Sequence, residues 1–343
     1  MIDAPLRLRL DGQALADNWR ALDRLSGAAR CGAAVKADGY GLGAAPVVAR
    51  LAAAGCRQFY VATWREAAAL SATGLAVSVL HGVREEDMTA ALAGPSRPVL
   101  STATQVARWK AAGGGICDVM VDTGMNRLGL SGGDIGAGLL DGLTIDTLMS
   151  HLACADDDSA MNARQRDRFA AIAGGVKAAN RSLCNSAGIA LGSGFHFDLT
   201  RPGLALYGGV PRGERAGVVR PVGQPAAQIL QRRRVPTGET VGYNATWTAP
   251  RDTAVAILNI GYADGYFRGF SDRGGARVGD SALPVIGRVS MDLVAIDVTA
   301  APDLAEGDWV EIDFTLPDAA AASGLSQYEL LTSLGHRYDR VWT

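Results

Sequence analysis

The chain has 343 residues, 48% of them hydrophobic and 20% charged, the make-up of a folded globular protein with length for two domains or a barrel with an appendage. A formal net charge of −2 offers no basic field to nucleic acid or to an anionic membrane, and no apolar run approaches the ~18 residues of a membrane span. Five scattered cysteines without a CxxC pair, four histidines without metal-ligand spacing, and a start (Met1-Ile2-Asp3-Ala4-Pro5) without signal-peptide regions predict a reduced, metal-free, cytoplasmic protein.

The first predicted strand, Ala33-Ala34-Val35, runs into Lys36 and a glycine-rich turn, Gly39-Tyr40-Gly41-Leu42-Gly43. The chain has three lysines beside thirty arginines, together its 33 basic residues. Arginine serves as a surface cation, but only an amine can lose its proton when desolvated and condense with a carbonyl. Lys110 and Lys177 fall in amphipathic helical stretches and read as surface residues, so Lys36 is the candidate reactive group.

Short apolar runs then alternate with helical stretches. An Ala-rich helix is predicted over 44–54; Phe59-Tyr60-Val61-Ala62 precedes a helix over 64–72, Ser78-Val79-Leu80 one over 84–93, and Pro98-Val99-Leu100 one over 103–112. The last opens with Thr102 and Gln105 as a capping box and stops at Gly113-Gly114-Gly115. Cys117-Asp118-Val119-Met120-Val121, Ile145-Asp146-Thr147-Leu148-Met149, Ser182-Leu183-Cys184-Asn185 and Phe197-Asp198-Leu199 complete eight strand candidates, with a helix over 160–179 between the sixth and seventh. This β-α order predicts an α/β fold, a (β/α)8 TIM barrel; a doubly wound sheet would place an early GxGxxG turn, and none is present. Barrel sites form at the C-terminal ends of strands. Lys36 ends the first run, Arg127 follows the fifth, His151 ends the sixth, Ser186 ends the seventh and Arg201 follows the eighth, so all five are expected on one face.

After about residue 220 the helical pattern stops. Ala254–Ile260, Leu283–Ile286, Val294–Val298 and Trp309–Ile312 read as strands separated by turn signals such as Gly274-Gly275, Gly279-Asp280 and Glu306-Gly307-Asp308. A barrel over 1–220 and a mostly-β C-terminal domain over 221–343 are expected, with a short helix near 326–334 and residues 1–10 available to the second domain as a strand. Arg232-Arg233-Arg234 reads as a solvated strand edge rather than a phosphate patch.

Eight motifs run in order through both domains: Ala34-Val35-Lys36-Ala37-Asp38-Gly39-Tyr40-Gly41, Asp122-Thr123-Gly124-Met125-Asn126-Arg127-Leu128-Gly129, Ser150-His151-Leu152-Ala153, Asn185-Ser186-Ala187, Arg201-Pro202-Gly203-Leu204-Ala205-Leu206-Tyr207-Gly208, Gly242-Tyr243-Asn244-Ala245-Thr246, Gly261-Tyr262-Ala263-Asp264-Gly265 and Gly287-Arg288-Val289-Ser290-Met291-Asp292. Together they resemble the alanine racemases, fold-type III pyridoxal-phosphate enzymes, over nearly the whole chain. The resemblance implies interconversion of L- and D-alanine, supplying D-alanine for peptidoglycan or serving its catabolism. Lys36 would hold pyridoxal 5′-phosphate through its amine and act as one of two catalytic bases. Tyr243 would be the other, reaching the cofactor of a partner subunit in a head-to-tail homodimer. Tyr40, Ser186, Gly203 and the Leu204 backbone would cradle the phosphate, and His151 belongs to the same cofactor set. Arg201 would face the pyridine nitrogen; a guanidinium accepts no proton at working pH, so that nitrogen would stay unprotonated and charge would stay near Cα. Tyr243 would need help to ionise from its ordinary value near ~10, with His151 and Arg201 supplying cationic character. Arg127, with Met291 alongside, would grip the substrate carboxylate, while Tyr262, Arg268, Arg288, Asp156 and Tyr243 match residues that gate a narrow substrate entrance.

Two departures qualify the resemblance. Many relatives carry, two residues before Asp-Thr-Gly-Met, a lysine whose carbamate orients the substrate-binding arginine; here that position is Met120, so Arg127 must be held by another acceptor, a bound anion or packing. Near the C-terminus many relatives offer a tyrosine to the phosphate and pocket wall; His336 takes that place in this reading, with Tyr338 second. These departures keep open a racemase of wider range that accepts serine or larger amino acids. A decarboxylase on the same barrel is opposed by Arg127, which suits retention of the carboxylate. A non-catalytic pyridoxal-phosphate-binding protein is opposed by the β domain that carries Tyr243.

Overall fold

The computed structural model describes residues 4–213 and 217–343, which divide into two compact units: Leu15–Arg220, and the residues up to Ala14 taken with Pro221–Thr343. In the first unit, Ala33–Ala34, Phe59–Val61, Val77–Val79, Arg97–Leu100, Cys117–Met120, Ile145–Met149 and Asn180–Ser182 lie side by side in parallel and in chain order. Leu199–Thr200 pairs in parallel with Arg30–Cys31, the lower half of the first strand. Arg30 N–H donates to Asp198 O (3.0 Å) and Ala34 N–H to Pro202 O (2.8 Å), while Asp198 N–H reaches Arg181 O (3.0 Å) and Arg201 N–H reaches Cys184 O (2.8 Å). These bonds close the ring, so the eight expected strands form the (β/α)8 barrel. The first strand breaks at Gly32, where a Cβ would stand 3.0 Å from Gln58 O and 3.1 Å from Tyr60 Cε2.

Inside, Tyr60, Val99, Met149 and Leu199 form a buried layer, with Leu80 and Met120 packed against it. Its four members come from the second, fourth, sixth and eighth strands, because alternate strands of a barrel point side chains inward at the same height. Each such buried side chain contributes on the order of 1.5–3 kcal/mol. Two residues below Met120, Asp118 is fully buried, taking Ser78 Oγ (2.5 Å) and Thr147 N–H (3.0 Å) as donors. Arg97 lies 3.3 Å from Asp118 and 2.9 Å from Asp146. Burial nevertheless pushes the Asp118 carboxyl up to about 6.

Local chemistry moves several expected boundaries. The helix expected from 84 starts at Met88, because the Asp87 carboxylate binds the Arg84 N–H (3.1 Å) and holds 84–87 in a turn. The helix expected to 179 stops at Gly174. The seventh strand ends at Ser182, and Asn185 caps the next helix through Oδ1, which accepts from Gly188 N–H at 2.8 Å. The eighth strand is Leu199–Thr200 rather than 197–199.

In the second unit, Thr253–Leu258, Val294–Asp297, Ser281–Ile286, Gly275–Val278, Trp309–Ile312 and Gly223–Val235 neighbour one another in that order, and Gly223–Val235 returns to Thr253–Leu258 to close a β-barrel. Leu6–Leu10 pairs antiparallel with Gly223–Val235, and Asp339–Trp342 lies parallel to Leu6–Leu10. Leu6, Leu8 and Leu10 are buried while Arg7 and Arg9 point away, the period-two alternation of a half-buried strand. Val235, Ala249, Val255 and Ile286 form a core beside Val241 and Trp247. Helices Leu316–Ser323 and Gln327–Thr332 follow, the second near the expected 326–334. Arg232 donates to Pro302 O (2.8 Å) and to Leu304 O, so this member of the arginine run caps backbone carbonyls. No helix among the described residues is long and apolar enough to cross a membrane.

Candidate active site

Lys36 leaves the first barrel strand into a turn of unusual hand. Ala37, Asp38, Gly39 and Tyr40 have φ of 53°, 52°, 62° and 55°, and Gly41 follows at 83°. Only Gly adopts this region freely; a left-handed L-residue costs roughly 1–2 kcal/mol, so three non-glycine members are held against their preference. Gly39 N–H to Val35 O and Gly41 N–H to Ala37 O (both 2.9 Å) close the turn from within. From outside, Glu66 Oε1 accepts from Ala37 N–H at 2.8 Å, and Asp38 Oδ1 accepts from Ala44 N–H at 2.8 Å at the start of helix Ala44–Ala54. Burial, then the nearby Arg127 guanidinium, pull the Lys36 amine below its usual value, with Glu66 acting in the opposite sense. A lowered amine value raises the share of free amine, which is a nucleophile and a base.

Beside it is a cradle of backbone donors. Ser186 Oγ accepts from Gly203 N–H (3.0 Å) and Ala205 N–H (3.1 Å) at the start of the short turn Leu204–Tyr207. The Tyr40 hydroxyl lies against Gly203, where a Cβ would come within 2.2 Å of it. Tyr40 cannot swing away easily: its ring stacks on Tyr207 with centroids 4.7 Å apart, and the Tyr207 hydroxyl donates to Ala34 O at 2.9 Å. Hydroxyls and N–H groups gathered at one point, without a carboxylate, suit an oxyanion such as a phosphate ester.

Arg201 follows the eighth strand and is buried, donating to Ser182 Oγ and to Ser150 O (2.6 Å). No carboxylate among the described residues pairs with it; its guanidinium lies 5.9 Å from the centre of the Tyr60 ring. Burial pulls its pKa down, partly opposed by Tyr60, Cys184 and Asp118. His151 ends the sixth strand, and burial together with Arg201, Arg127 and Lys36 pushes it down to about 3. It is therefore neutral, which corrects the expectation that it adds cationic character; that falls to the arginines.

Arg127 stands exposed in the loop after the fifth strand, without a carboxylate partner among the described residues, and next to Asn126 at φ 56°. Met120 packs on the interior layer, so at the position of the carbamate-bearing lysine it fills space and offers Arg127 no acceptor. Asp156 is exposed, its carboxyl raised by partial burial and by Asp157. The mutual electrostatics of Lys36, Arg127, His151 and Arg201 thus put four of the five strand-end residues in one neighbourhood.

In the other unit, hairpin strands Thr240–Val241 and Trp247–Thr248 present Tyr243 on a turn, 65% exposed. The turn is tight: Gly242, Asn244 and Ala245 have φ of 80°, 62° and 47°. Gly242 and Gly287 pack the hairpin against 287–288, where a Gly287 Cβ would stand 2.7 Å from Val241 O. Arg288 is therefore beside the Tyr243 hairpin, exposed. Met291 is 54% exposed and its carbonyl accepts from Ala263 N–H at 3.0 Å, beside Tyr262. The Arg268 guanidinium lies 5.6 Å from the Tyr262 ring centre. Near the C-terminus His336 is exposed and Tyr338 is buried, its hydroxyl pKa raised by burial. Between them, Arg337 grips the buried Asp264 at 2.6 and 2.7 Å and Asp292 at 2.7 Å, joining the Tyr262 and Met291 loops. Sequence reasoning did not single out Arg337 or Glu66, although the Thr63-x-x-Glu66 capping box was a legible signal for the latter.

The description "Alanine racemase, N-terminal domain" matches residues 10–211, and "Alanine racemase, C-terminal domain" matches residues 222–342. An alanine racemase from Acidiphilium cryptum is 45% identical, with 97% of this chain and 98% of its own covered. The biosynthetic alanine racemase of Agrobacterium fabrum is 41% identical, with 99% and 94% covered. Among solved structures, alanine racemase from Bartonella henselae with covalently bound pyridoxal phosphate superposes with a TM-score of 0.91 at 32% identity, over 98% of this chain and 99% of that one. The biosynthetic enzyme from Pseudomonas aeruginosa gives 0.91 at 31%, over 100% of both.

Proposed function

The chain belongs to the alanine racemase family, and we propose that Lys36 and Tyr243 are the two bases with which it interconverts L- and D-alanine. It is a pyridoxal-phosphate-dependent isomerase, and the residues present fit that cofactor. The observation that carries the reading is Lys36: one of three lysines, desolvated at a barrel strand end beside Arg127, with an oxyanion cradle and a carboxylate-free Arg201 in the same unit. When bound, pyridoxal phosphate supplies an electron sink that makes an amino acid's α-proton acidic.

The chain's own groups do the rest. Ser186 Oγ, the Tyr40 hydroxyl and the Gly203 and Leu204 backbone would hold the phosphate, with Gly203 and Ala205 N–H orienting Ser186 Oγ. Arg201 would donate a hydrogen bond to the ring nitrogen and, as a guanidinium that neither takes up nor readily gives up a proton, would leave that nitrogen unprotonated and limit how far charge leaves Cα. Lys36 Nζ takes or returns the proton on one face and Tyr243 Oη on the other. Arg127 would present a fork to the substrate carboxylate; Met291 is assigned to the same substrate, and Tyr262, Arg268, Arg288 and Asp156 to its entrance. His336 is the C-terminal residue assigned to the cofactor; exposure favours it over the buried Tyr338.

A head-to-tail homodimer completes the site, Tyr243 serving the partner's Lys36. Exposed apolar residues beside the assigned groups support it: Leu128 at 41% next to Arg127, and Tyr243, Met291 and Leu293 at 65%, 54% and 41%. The enzyme acts in the cytoplasm and supplies D-alanine for peptidoglycan, as the word biosynthetic in a relative's name suggests. Alanine is favoured over a wider range because the curated relatives are alanine racemases.

A chiral assay of the purified holoenzyme should show alanine racemised faster than serine, and borohydride should fix the cofactor on Lys36. Fixation on Lys110 or Lys177, or no racemisation, would refute this assignment.

A further inference from the structure

We propose that Glu66 is a positioning residue for Lys36: its carboxylate holds the left-handed turn that aims the amine. The inference rests on Lys36 being the reacting group. Glu66 starts as an ordinary capping residue. Its Oε2 accepts from Ala62 N–H (2.6 Å) and Thr63 N–H (3.2 Å), while Thr63 Oγ1 accepts from Glu66 N–H (3.3 Å), which satisfies the first turn of helix Trp64–Ala69. A cap needs only that. The second oxygen goes elsewhere, to Ala37 N–H at 2.8 Å, across to the residue that follows Lys36 in the first strand's turn.

Ala37 is where the backbone switches hand, from Val35 at φ −119° to Ala37 at 53°. A residue forced into that region relaxes unless its surroundings over-determine it. The internal bonds Gly39–Val35 and Gly41–Ala37 close the turn but do not anchor it to the barrel; Glu66 ties it to the end of the second strand. The same negative charge favours the protonated amine, against burial and Arg127. One carboxylate thus sets both the direction of Lys36 and its readiness to hold a proton.

A glutamine keeps the length but has one acceptor oxygen, so one of the two sets of N–H groups must face an amide N–H. The test compares wild type, Glu66→Gln, Glu66→Asp and Thr63→Ala. In the holoenzyme, kcat should fall roughly tenfold or more in Glu66→Gln, within the range of a misplaced catalytic group, with a smaller change in KM. The pH at which Lys36 becomes active should move down. The readout apart from activity is competitive acetylation of the three lysines in cofactor-free full-length chain, followed by mass spectrometry. Lys36 should label at lower pH in Glu66→Gln, with Lys110 and Lys177 unchanged. Glu66→Asp, which can still cap Thr63 but not span to Ala37, should fold and lose kcat, with a smaller downward shift of Lys36 labelling because its charge is kept but withdrawn, deciding the matter if Glu66→Gln does not fold. Thr63→Ala should lower the thermal midpoint and leave kcat and labelling alone. Unmoved Lys36 labelling in both Glu66 variants, or losses of kcat matched by Thr63→Ala at equal loss of stability, would reduce Glu66 to a cap. Borohydride fixation of the wild-type cofactor on another lysine would overturn the assignment of Lys36 itself, and the role of Glu66 with it.

Discussion

Ser186 and Gly203 make the same cradle in opposite ways, one by offering an oxygen and the other by offering nothing. Ser186→Ala leaves the Gly203 and Ala205 N–H groups without their acceptor; a buried donor left unmet costs on the order of 1–3 kcal/mol. Because a bound phosphate would satisfy those donors, the variant should be destabilised in the cofactor-free form and recover much of the loss when pyridoxal phosphate is added. Gly203→Ala should behave in the reverse sense. Its Cβ meets the Tyr40 hydroxyl at 2.2 Å, and the stacked ring cannot retreat, so overpacking of about 1–3 kcal/mol accompanies a poorer site. Thermal midpoints with and without cofactor separate the two: equal cofactor-induced gains in both variants would refute this account. At this scale the placing of Lys36, Arg127, His151, Ser186 and Arg201 after the ends of barrel strands was legible, because a barrel turns sequence position into spatial position. The neutrality of His151 was not, since it depends on which cations the fold gathers around the ring.

Elements were legible where one physical pattern ruled them. Asn180–Ser182 and Leu199–Thr200 each share a single residue with their expected run, whereas the other six barrel strands announce themselves as apolar runs because both their faces are covered. Gly223–Val235, 13 residues and the longest described strand, does not: it takes Leu6–Leu10, Trp309–Ile312 and Thr253–Leu258 as partners in turn, shifts register between Ile229 and Gln231, and exposes Arg233 and Arg234 just before its buried last residue, Val235. No single alternation survives such changes of neighbour. Within the barrel, the polar plug under the interior layer gives an element-scale prediction. Asp118 titrates at about 6 in the fold against an ordinary value of 3.8. Between those values the folded protein holds a proton that the unfolded chain has released. Stability therefore falls as pH rises through the window and stays lower above it. Asp118→Asn keeps an acceptor for Thr147 N–H, and Arg97 keeps Asp146 at 2.9 Å. The variant should lose this pH dependence, a difference on the order of 1–3 kcal/mol between about pH 4 and about pH 8. Unfolding in denaturant at both pH values checks it; an unchanged slope in the variant would place the titrating group elsewhere.

At the scale of the molecule, the chain begins a strand, builds the entire barrel, and only then returns to the unit in which it began. The assigned groups are divided in the same way: Lys36, Arg127, His151, Ser186 and Arg201 belong to one unit, Tyr243 and Met291 to the other. A dimer in which Tyr243 serves the partner's Lys36 makes a prediction that no single-chain mechanism shares. Lys36→Ala and Tyr243→Ala homodimers should each be nearly inactive, since losing a base costs roughly 10²–10⁴-fold. In a mixed dimer with the tyrosine acting across subunits, one site carries both lesions and the other carries neither. The intact site should restore about half of wild-type activity, a large gain over that deficit. Were the tyrosine to serve its own chain's lysine, each site would keep one lesion and nothing would be restored. The measurement is the racemisation rate of the doubly tagged, purified heterodimer against the two homodimers and their unexchanged mixture. A heterodimer no faster than that mixture would rule out the shared site while leaving the roles of Lys36 and Tyr243 within one chain intact.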